Sequence, residues 1–284
     1  METLPAYAIP LAGTLALGIF STLEFLWPLR SRTQPRLRRW LHALGEAGLA
    51  YLLMWPLQAM LFVRLAQALH ERRIGLLYFF SLPGWAAIAL AVLLLDYSLW
   101  HWHWLNHKVP LFWRFHRVHH MDADMDAFTG LRFHAGELGL SLAYRALQIA
   151  LIGASPLAVG LWQLILFVCV LFHHSNTHLP LALERGLARL IVTPRMHGVH
   201  HSIIRREADN NYCSILSLWD RLHGTLRLAI PQPEIVIGVG GWREAGGLSF
   251  LREWLSPLRP VTQDWPGDAP PRGGEGAAAR ELAS

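Results

Sequence analysis

The stretch HWLNHKVPLFWRFHRVHH, residues 103–120, contains five histidines at spacings that suit a helix. His103 and His107 stand four residues apart, and His116 is followed by histidines three and four residues later. Residues at i, i+3 and i+4 are neighbours on one helix face, so each set can aim its ring nitrogens at one point. This pattern predicts helices that present histidines to a metal ion.

The same pair and triplet recur in the second half of the chain, as HSNTH at 174–178 and HGVHH at 197–201. Iron(II) and other borderline divalent ions accept neutral imidazole. Ten imidazoles shared by two metals give about five each, which leaves an octahedral ion one open position. The candidate ligands of such a two-metal site are His103, His107, His116, His119, His120, His174, His178, His197, His200 and His201.

The composition indicates a membrane protein. Of 284 residues, 53% are hydrophobic and 16% charged, whereas a soluble domain usually has about 25% charged residues. The net charge of +5 comes from arginine, because Lys108 is the only lysine. These arginines lie between apolar stretches, so we interpret them as setting membrane orientation and expect no nucleic-acid partner. With only two cysteines, neither a disulfide framework nor a cysteine-rich zinc site is expected.

Apolar stretches at 4–27, 41–63 and 76–100 are candidate membrane helices. A further stretch, 138–172, is interrupted by Gly153-Ala-Ser-Pro156 and is predicted to form a hairpin of two helices. We therefore predict an all-α integral membrane bundle of about four to five transmembrane or hairpin helices. A cytosolic helical cap would carry the histidine clusters.

Five arginines between residues 30 and 39 follow the first predicted helix, which marks that loop as cytoplasmic. The hairpin returns the chain to the side it left, so all four histidine clusters are predicted at the cytoplasmic face. The near absence of lysine suggests GC-rich coding and a bacterial plasma membrane. The predicted segments are N-terminal transmembrane helices (1–94), a catalytic core (95–230), a C-terminal interfacial segment (231–263) and a disordered tail (264–284).

An all-nitrogen ligand set does not compensate the charge of two metals, so acids are expected behind the rings, orienting them through their other nitrogens. Our candidates for such support are Asp96, His134, Asn176, Asp209, Asn210 and Asp220. Further acids near the clusters are Asp122, Asp124, Glu137 and Glu207. The histidines assigned instead to packing or interface roles are His42, His70, His101, His173 and His223.

These segments resemble the fatty acid hydroxylase/sterol desaturase superfamily of integral membrane oxygenases. The resemblance covers about 95–225 and is carried by residues 96–120, TGLRFH at 129–134, HSN at 174–176, PRMHGVHHS at 194–202, DNNY at 209–212 and LWDRLHGT at 218–225. It implies that the ten histidines hold two irons, for which zinc can substitute in purified material. It also implies that the protein uses O2. The position matching His178 varies between subfamilies, and Trp104 stands where the family often has arginine.

We therefore expect an O2-dependent di-iron lipid monooxygenase or desaturase with no catalytic residues besides the metal ligands. Electrons would come from a separate ferredoxin, or from a cytochrome b5-like protein with its reductase. The substrate stays open among sterols, fatty acids, sphingolipids, carotenoids and ether lipids. Two other classes stay open: a membrane metal transporter or storage protein, which needs ionisable groups inside its spans, and a metal-dependent lipid hydrolase, which needs a carboxylate ligand and a general base.

Overall fold

The computed structural model describes residues 3–228, 230–243, 249–260 and 264–265. Within these ranges the regular secondary structure is helical, apart from isolated β-bridges, so the predicted all-α fold is confirmed. The α-helices are α1 (Ala8–Leu26), α2 (Arg36–Glu71), α3 (Gly84–Lys108), α4 (Pro110–His120), α5 (Ala135–Ile152), α6 (Pro156–His174), α7 (Leu181–Leu187), α8 (Pro194–His200), α9 (Arg205–Ala208), α10 (Leu218–Leu222), α11 (Gly240–Arg243) and α12 (Phe250–Trp254). Short 3-10 helices cover Leu76–Phe79, Ala127–Leu131, Gln232–Glu234 and Ser256–Leu258.

Three of the described helices, α1, α3 and α6, are long and apolar enough to cross a membrane. Helices α2 and α5 pack beside them, against each other and against α3 and α6. At 1.5 Å per residue, the 36 residues of α2 extend over roughly 54 Å, longer than a bilayer core. The chain is thus a membrane protein with a helical bundle, and α2 and α5 accompany the three candidate spans.

The hairpin predicted at 138–172 is formed by α5 and α6. Gly153 ends α5 with a positive φ of 76°, and a Cβ there would lie 2.9 Å from the carbonyl oxygen of Ile74. Ser155 then caps α6 by accepting a hydrogen bond from the backbone N–H of Ala158. The turn therefore requires glycine at 153, and it returns the chain to the side from which α5 started.

The segments that follow α1 and α6 pair with each other. The backbone N–H of Leu29 donates to Asn176 at 2.7 Å, and that of His178 donates to Trp27 at 2.7 Å. The C-terminal ends of these two helices therefore lie on one side of the bundle. Helix α3 runs without a break to Lys108 and brings His103 and His107 to the same region.

An apolar core below the histidines fixes the helices to one another. It joins side chains of α2, α3, α5 and α6 in one cluster. The fully buried Trp162 of α6 lies in this cluster with Leu95 of α3 and Ile149 of α5. Packing inside the bundle therefore fixes the positions of these helices along their axes, including the positions of the histidine-bearing ends of α3 and α6.

Buried ion pairs tie α2 to the end of α4, where Asp122 lies two residues after His120. Arg39 of α2 binds Asp122 twice, at 2.8 Å from Nε and 2.6 Å from Nη2, and its Nη1 lies 2.5 Å from Asp126. Arg132 flanks Asp122 on the other side and pairs with Glu46 of α2 at 3.0 Å. Burial alone would raise the pKa of Asp122, but the two guanidinium groups hold that pKa well below its usual range.

The loop before α2 contributes further arginine contacts. Arg32 lies 3.1 Å from Asp126. Arg30 donates to the carbonyl of Pro194 at 2.8 Å, at the start of α8. A Cβ on Gly198 would lie 1.8 Å from the Arg30 guanidinium, so glycine in HGVHH allows this close approach.

The C-terminal segment packs against α4 as far as the structure describes it. Asp264, the predicted first residue of a disordered tail, is instead buried and accepts hydrogen bonds from Trp113 at 2.8 Å and Arg117 at 2.9 Å. The predicted interfacial segment contains α12, followed by a 3-10 helix with the exposed Leu258. The rest of the predicted tail lies outside the described residues.

The Arg39–Asp122 contact can be tested by Arg39→Met, which keeps the length of the side chain and removes its charge. The variant leaves Asp122 and Asp126 short of a buried counter-charge, a change that typically costs about 3–5 kcal/mol. We expect the melting temperature in detergent to fall by roughly 10 °C. The matched control is Arg72→Met, at an exposed arginine just after α2, which should melt like the wild type. Equal melting of both variants would contradict a stabilising role for the pair.

Candidate metal centre

Nine of the ten candidate ligands form two buried groups. In each group, the donor atoms all lie within 4.8 Å of one another. The first group joins the ends of α3, α4 and α8 and consists of His103, His107, His116, His120 and His200. The second joins the ends of α4 and α6 with α8 and the residue after it, and consists of His119, His174, His197 and His201. Each group draws on histidines from separate stretches of the chain, so the fold itself assembles the site.

The two triplets divide their histidines between the groups. The first triplet sends His116 and His120 to the first group and His119 to the second. In the second triplet, His200 belongs to the first group, while His197 and His201 belong to the second. The groups are adjacent, since the ring centroids of His120 and His201 are 4.3 Å apart. A pair of metals at these positions would share both helices as a common support.

Backbone carbonyls orient several of the rings through Nδ1. His119 donates to the carbonyl of Arg132 at 3.0 Å, and His174 to that of Val170 at 2.7 Å. A carbonyl oxygen can only accept, so each Nδ1 carries the proton, and a neutral ring then leaves Nε2 as a bare lone pair.

These lone pairs face one another in the second group. The Nε2 atoms of His119 and His174 are 3.0 Å apart, and those of His174 and His197 are also 3.0 Å apart. The contact between His119 and His174 cannot be a hydrogen bond, because both protons are held at Nδ1. A cation between the rings would turn this repulsion into attraction.

In the first group, His103 and His200 donate through Nδ1 to the carbonyls of Tyr212 at 2.7 Å and Asn210 at 2.8 Å. The Nε2 atoms of His103, His107 and His200 are buried and have no hydrogen-bond partner. Buried polar nitrogens without partners are costly and therefore rare. Their presence together fits a site built for a metal ion.

The nitrogen spacings agree with metal coordination. A metal–nitrogen bond of about 2.1 Å places neighbouring corners of an octahedron about 3.0 Å apart and opposite corners about 4.2 Å apart. In the second group, the Nε2 atoms of His119 and His174, of His174 and His197, and of His197 and His201 are 3.0, 3.0 and 3.2 Å apart. The Nε2 atoms of His116 and His120 in the first group are 3.2 Å apart. These spacings match neighbouring corners of a metal's coordination shell, so both groups could hold a metal ion.

Burial keeps the rings neutral. Burial first, and then the neighbouring imidazoles, hold the pKa values of His119, His120, His197 and His201 well below the ordinary range. For His200, burial lowers the pKa to about 3. Neutral imidazole is the form that ligates metal, so the fold presents ligands that need not lose a proton first.

The structure does not bring His178 to either group. Helix α6 ends at His174, and His178 lies beyond it with an exposed side chain. His173, which we assigned to packing, instead lies against the second group. Its ring centroid is 4.1 Å from that of His197, and its buried Nδ1 has no hydrogen-bond partner.

Of the predicted supporting residues, Asp209 and Asn210 lie closest to the rings. A carboxylate oxygen of Asp209 is 3.6 Å from Nδ1 of His107 and 2.7 Å from Lys108. Asn210 supports His200 through its backbone carbonyl rather than its amide.

The other predicted supporting residues act at a distance from the rings. Asp220 accepts from the backbone N–H groups of Tyr212 and Cys213 and so shapes the loop that holds His103. Asp96 accepts from Trp219 at 2.7 Å, and Asn176 exchanges hydrogen bonds with the backbone of Arg30. These residues fix the loops that bear the ligands.

Glu137 has the contact that the sequence did not single out, since it appeared there only among the further acids. One of its carboxylate oxygens lies 2.8 Å from Nδ1 of His116. His134, a predicted supporting residue, caps α5 by accepting from Gly136 and thereby fixes the first turn, which carries Glu137. The spacing of His134 and Glu137, three residues apart at the start of a predicted helix, was the sequence feature that could have indicated this role of Glu137.

A cavity of about 110 Å³ opens beside both groups, between α3, α5 and α6. Its polar lining includes Asn106, Glu137, Ser141 and Arg145, and its apolar lining includes Leu99, Trp102, Leu138, Leu166 and Val170. The histidines at its edge are His103, His116, His119, His173, His174 and His197. A largely apolar space that ends at metal-binding groups is suited to a lipid chain.

Known proteins share this sequence pattern. Residues 88–225 match the model of the fatty acid hydroxylase family. The chain is 32% identical to an ornithine lipid hydroxylase of Rhizobium tropici over 60% of this chain and 50% of that protein. It is 29% identical to cholesterol 25-hydroxylase of Mus musculus over 54% of this chain and 50% of that protein. Human alkylglycerol monooxygenase is 29% identical over 51% of this chain and 32% of that protein.

The chain spans about half the length of the first two of these relatives. No solved structure matches it. The matched segment 88–225 contains all nine histidines of the two groups. By this sequence match and these histidine groups, residues 88–225 form a fatty acid hydroxylase domain.

Proposed function

We propose that this protein is a membrane-bound di-iron oxygenase that uses O2 to hydroxylate or desaturate a C–H bond of a lipid. The observation that supports it most is the facing pair of imidazole lone pairs on His119 and His174, inside two adjacent all-histidine groups. The cavity beside them and the relatives named as lipid hydroxylases and a monooxygenase support the same assignment.

In this proposal the first group holds one iron through its five histidines. The second group holds the other through four, with His173 as a fifth ligand in place of His178. Zinc would bind the same nitrogens in purified material, since neutral imidazole accepts both metals. When bound, the two irons supply O2 activation and the oxidising power to break a C–H bond.

The residues around the histidine groups would orient the ligand rings and keep water away from the substrate. Glu137 holds the ring of His116 through its Nδ1 proton, and backbone carbonyls hold four more rings in the same way. The apolar walls of the cavity exclude water and present a hydrocarbon segment to the histidines. The protein thus prepares the geometry and leaves the bond-breaking chemistry to the cofactor.

This arrangement disfavours a hydrolase. A metal hydrolase needs a carboxylate among the ligands or a free general base beside the metal. The described carboxylates nearest the rings, Glu137 and Asp209, lie on the Nδ1 side, and Glu137 is engaged with His116. The all-histidine groups therefore fit an oxidation better than a hydrolysis.

We further propose that the histidine groups face the cytoplasm of a bacterial inner membrane, and that a separate ferredoxin or cytochrome b5-like protein supplies electrons. The arginine-rich loop 30–39 supports this side of the membrane. Arg30 contacts α8, and Arg32 and Arg39 contact Asp126. The basic loop and the metal site therefore lie on one side of the bundle, whichever way that side faces.

The oxygenase activity is tested by isotope labelling. Membranes that contain the iron-loaded protein, a bacterial lipid extract and a ferredoxin with its reductase should yield hydroxylated lipid that carries ¹⁸O from ¹⁸O2. If the reaction is desaturation, the product is an unlabelled alkene and the label from ¹⁸O2 appears in water. A hydrolase would instead incorporate label from water, and a transporter would move metal into proteoliposomes without product. Reduced, iron-replete protein that consumes no O2 with these lipids would count against the proposal.

The ligand set is tested by metal analysis of single variants. We expect two metals per wild-type chain and about one after His174→Ala, because that ring is central to the second group. His178→Ala is the matched control on the adjoining segment and should retain two. His173→Ala should lower the affinity of the second group for its metal. An unchanged affinity in this variant would show that His173 is not a ligand.

Glu137→Gln tests the contact with His116. An amide can still accept the Nδ1 proton but lacks the charge that raises the basicity of the ring. Loss of such a partner typically lowers metal affinity about 10–100-fold. Competition with a chelator should show this loss in the first group while the second metal stays bound. Equal chelator sensitivity in variant and wild type would contradict the role.

A further inference from the structure

Arg145 is a charged residue in α5, the first arm of the helical hairpin, which packs beside the candidate membrane spans. It lies in α5, between Ala135 at the histidine end and the turn at Gly153. Its Nε is buried without a hydrogen-bond partner, and no described carboxylate forms an ion pair with it. A charged side chain at such a depth is costly unless it pairs or faces a cavity, and it usually marks a functional position.

The side chain of Arg145 faces the cavity beside the histidines. Glu137, Ser141 and Arg145 are spaced four residues apart, so they form a polar strip along one face of α5. All three line the cavity, while the apolar lining comes from other positions such as Leu166 and Val170. The strip begins at the residue that holds His116 and ends at Arg145.

The strip has a defined length. Eight residues at 1.5 Å each separate Glu137 from Arg145, which is about 12 Å along the helix axis. Side chains on a helix lean toward its N-terminus, so Arg145 leans toward the histidine end of the cavity. The Trp162 ring lies 5.5 Å from the guanidinium carbon and helps to hold it in place.

The cavity is too small to enclose a whole lipid, which bears on the role of Arg145. Its volume of about 110 Å³ is below the roughly 150 Å³ of a cavity that binds benzene. It can therefore hold only a short segment of a lipid, and apolar walls alone do not distinguish one methylene from the next. A fixed polar contact at the far end would set which carbon reaches the metals.

We infer that Arg145 binds an oxyanion of the lipid substrate, a carboxylate or a phosphate, and so fixes the distance from that group to the carbon that reacts. This inference rests on the proposed oxygenase function and narrows its substrate class to anionic lipids. Guanidinium binds both oxyanions with two parallel hydrogen bonds. A neutral sterol or ether lipid would offer no oxyanion to this guanidinium.

The test is ligand binding to the purified, metal-loaded protein, read as quenching of tryptophan fluorescence by bromine. The probes are dibrominated stearate, the corresponding brominated alkyl phosphate and the brominated alcohol of the same chain, at a pH where both acids are ionised. A charge-assisted hydrogen bond predicts that the anions bind about tenfold tighter than the alcohol. Whichever anion binds more tightly identifies the headgroup chemistry.

Arg145→Met, which keeps the length of the side chain, should bind acid and alcohol equally. Arg145→Lys, which keeps the charge, should retain part of the preference, and metal content should stay unchanged in both variants. Arg189→Met is the control at an exposed arginine outside the cavity and should behave as wild type. Equal binding of anion and alcohol by the wild type, or an unchanged preference in Arg145→Met, would overturn the inference. This experiment measures binding and requires no turnover. A protein that binds these lipids as expected but oxidises none of them would contradict the oxygenase proposal and leave the role of Arg145 standing.

Discussion

The repulsion between imidazole lone pairs is the constraint on which this structure depends. Carbonyl oxygens fix the protons of His119 and His174 at Nδ1, so their Nε2 atoms face each other at 3.0 Å without a proton between them. Protonating the rings would not relieve the strain, because several buried imidazolium ions would repel even more strongly. A metal cation between the nitrogens fits both the burial and the geometry. Metal binding at such a site would be coupled to the folding of the histidine helices.

The remainder of the fold holds this arrangement in place from outside. Asp122 lies two residues after the first triplet, and both Arg39 and Arg132 pair with it. Arg132 also accepts the Nδ1 proton of His119 at its carbonyl, so one residue serves both the ion-pair network and a metal ligand. The arginines that suggested membrane orientation in the sequence thus have a structural task as well. The number of arginines in this loop is therefore weaker evidence for membrane orientation than it would be if none of them formed buried ion pairs.

The sequence predicted what depends on local spacing. Pairs and triplets at helical intervals share a face wherever the helix continues, and nine of the ten histidines obeyed that rule. His178 did not, because α6 ends at His174 and the next residues pair with the chain after α1. Glu137 was hard to select because it lies 21 residues from His116 and reaches it only through tertiary packing. Backbone carbonyls that orient rings leave no trace in side-chain patterns at all.

The cavity is lined by histidines of both groups. It touches His103 and His116 of the first group and His119, His174 and His197 of the second. A hydrocarbon segment in it would therefore lie beside both metals rather than behind one of them. The triplets produce this symmetry, because each helix sends alternate histidines to different groups. The shared helices α4 and α8 fix the positions of the two histidine groups relative to each other and to the cavity. If both groups hold iron as proposed, the oxidising power supplied by the metals would act on a substrate segment in a fixed position.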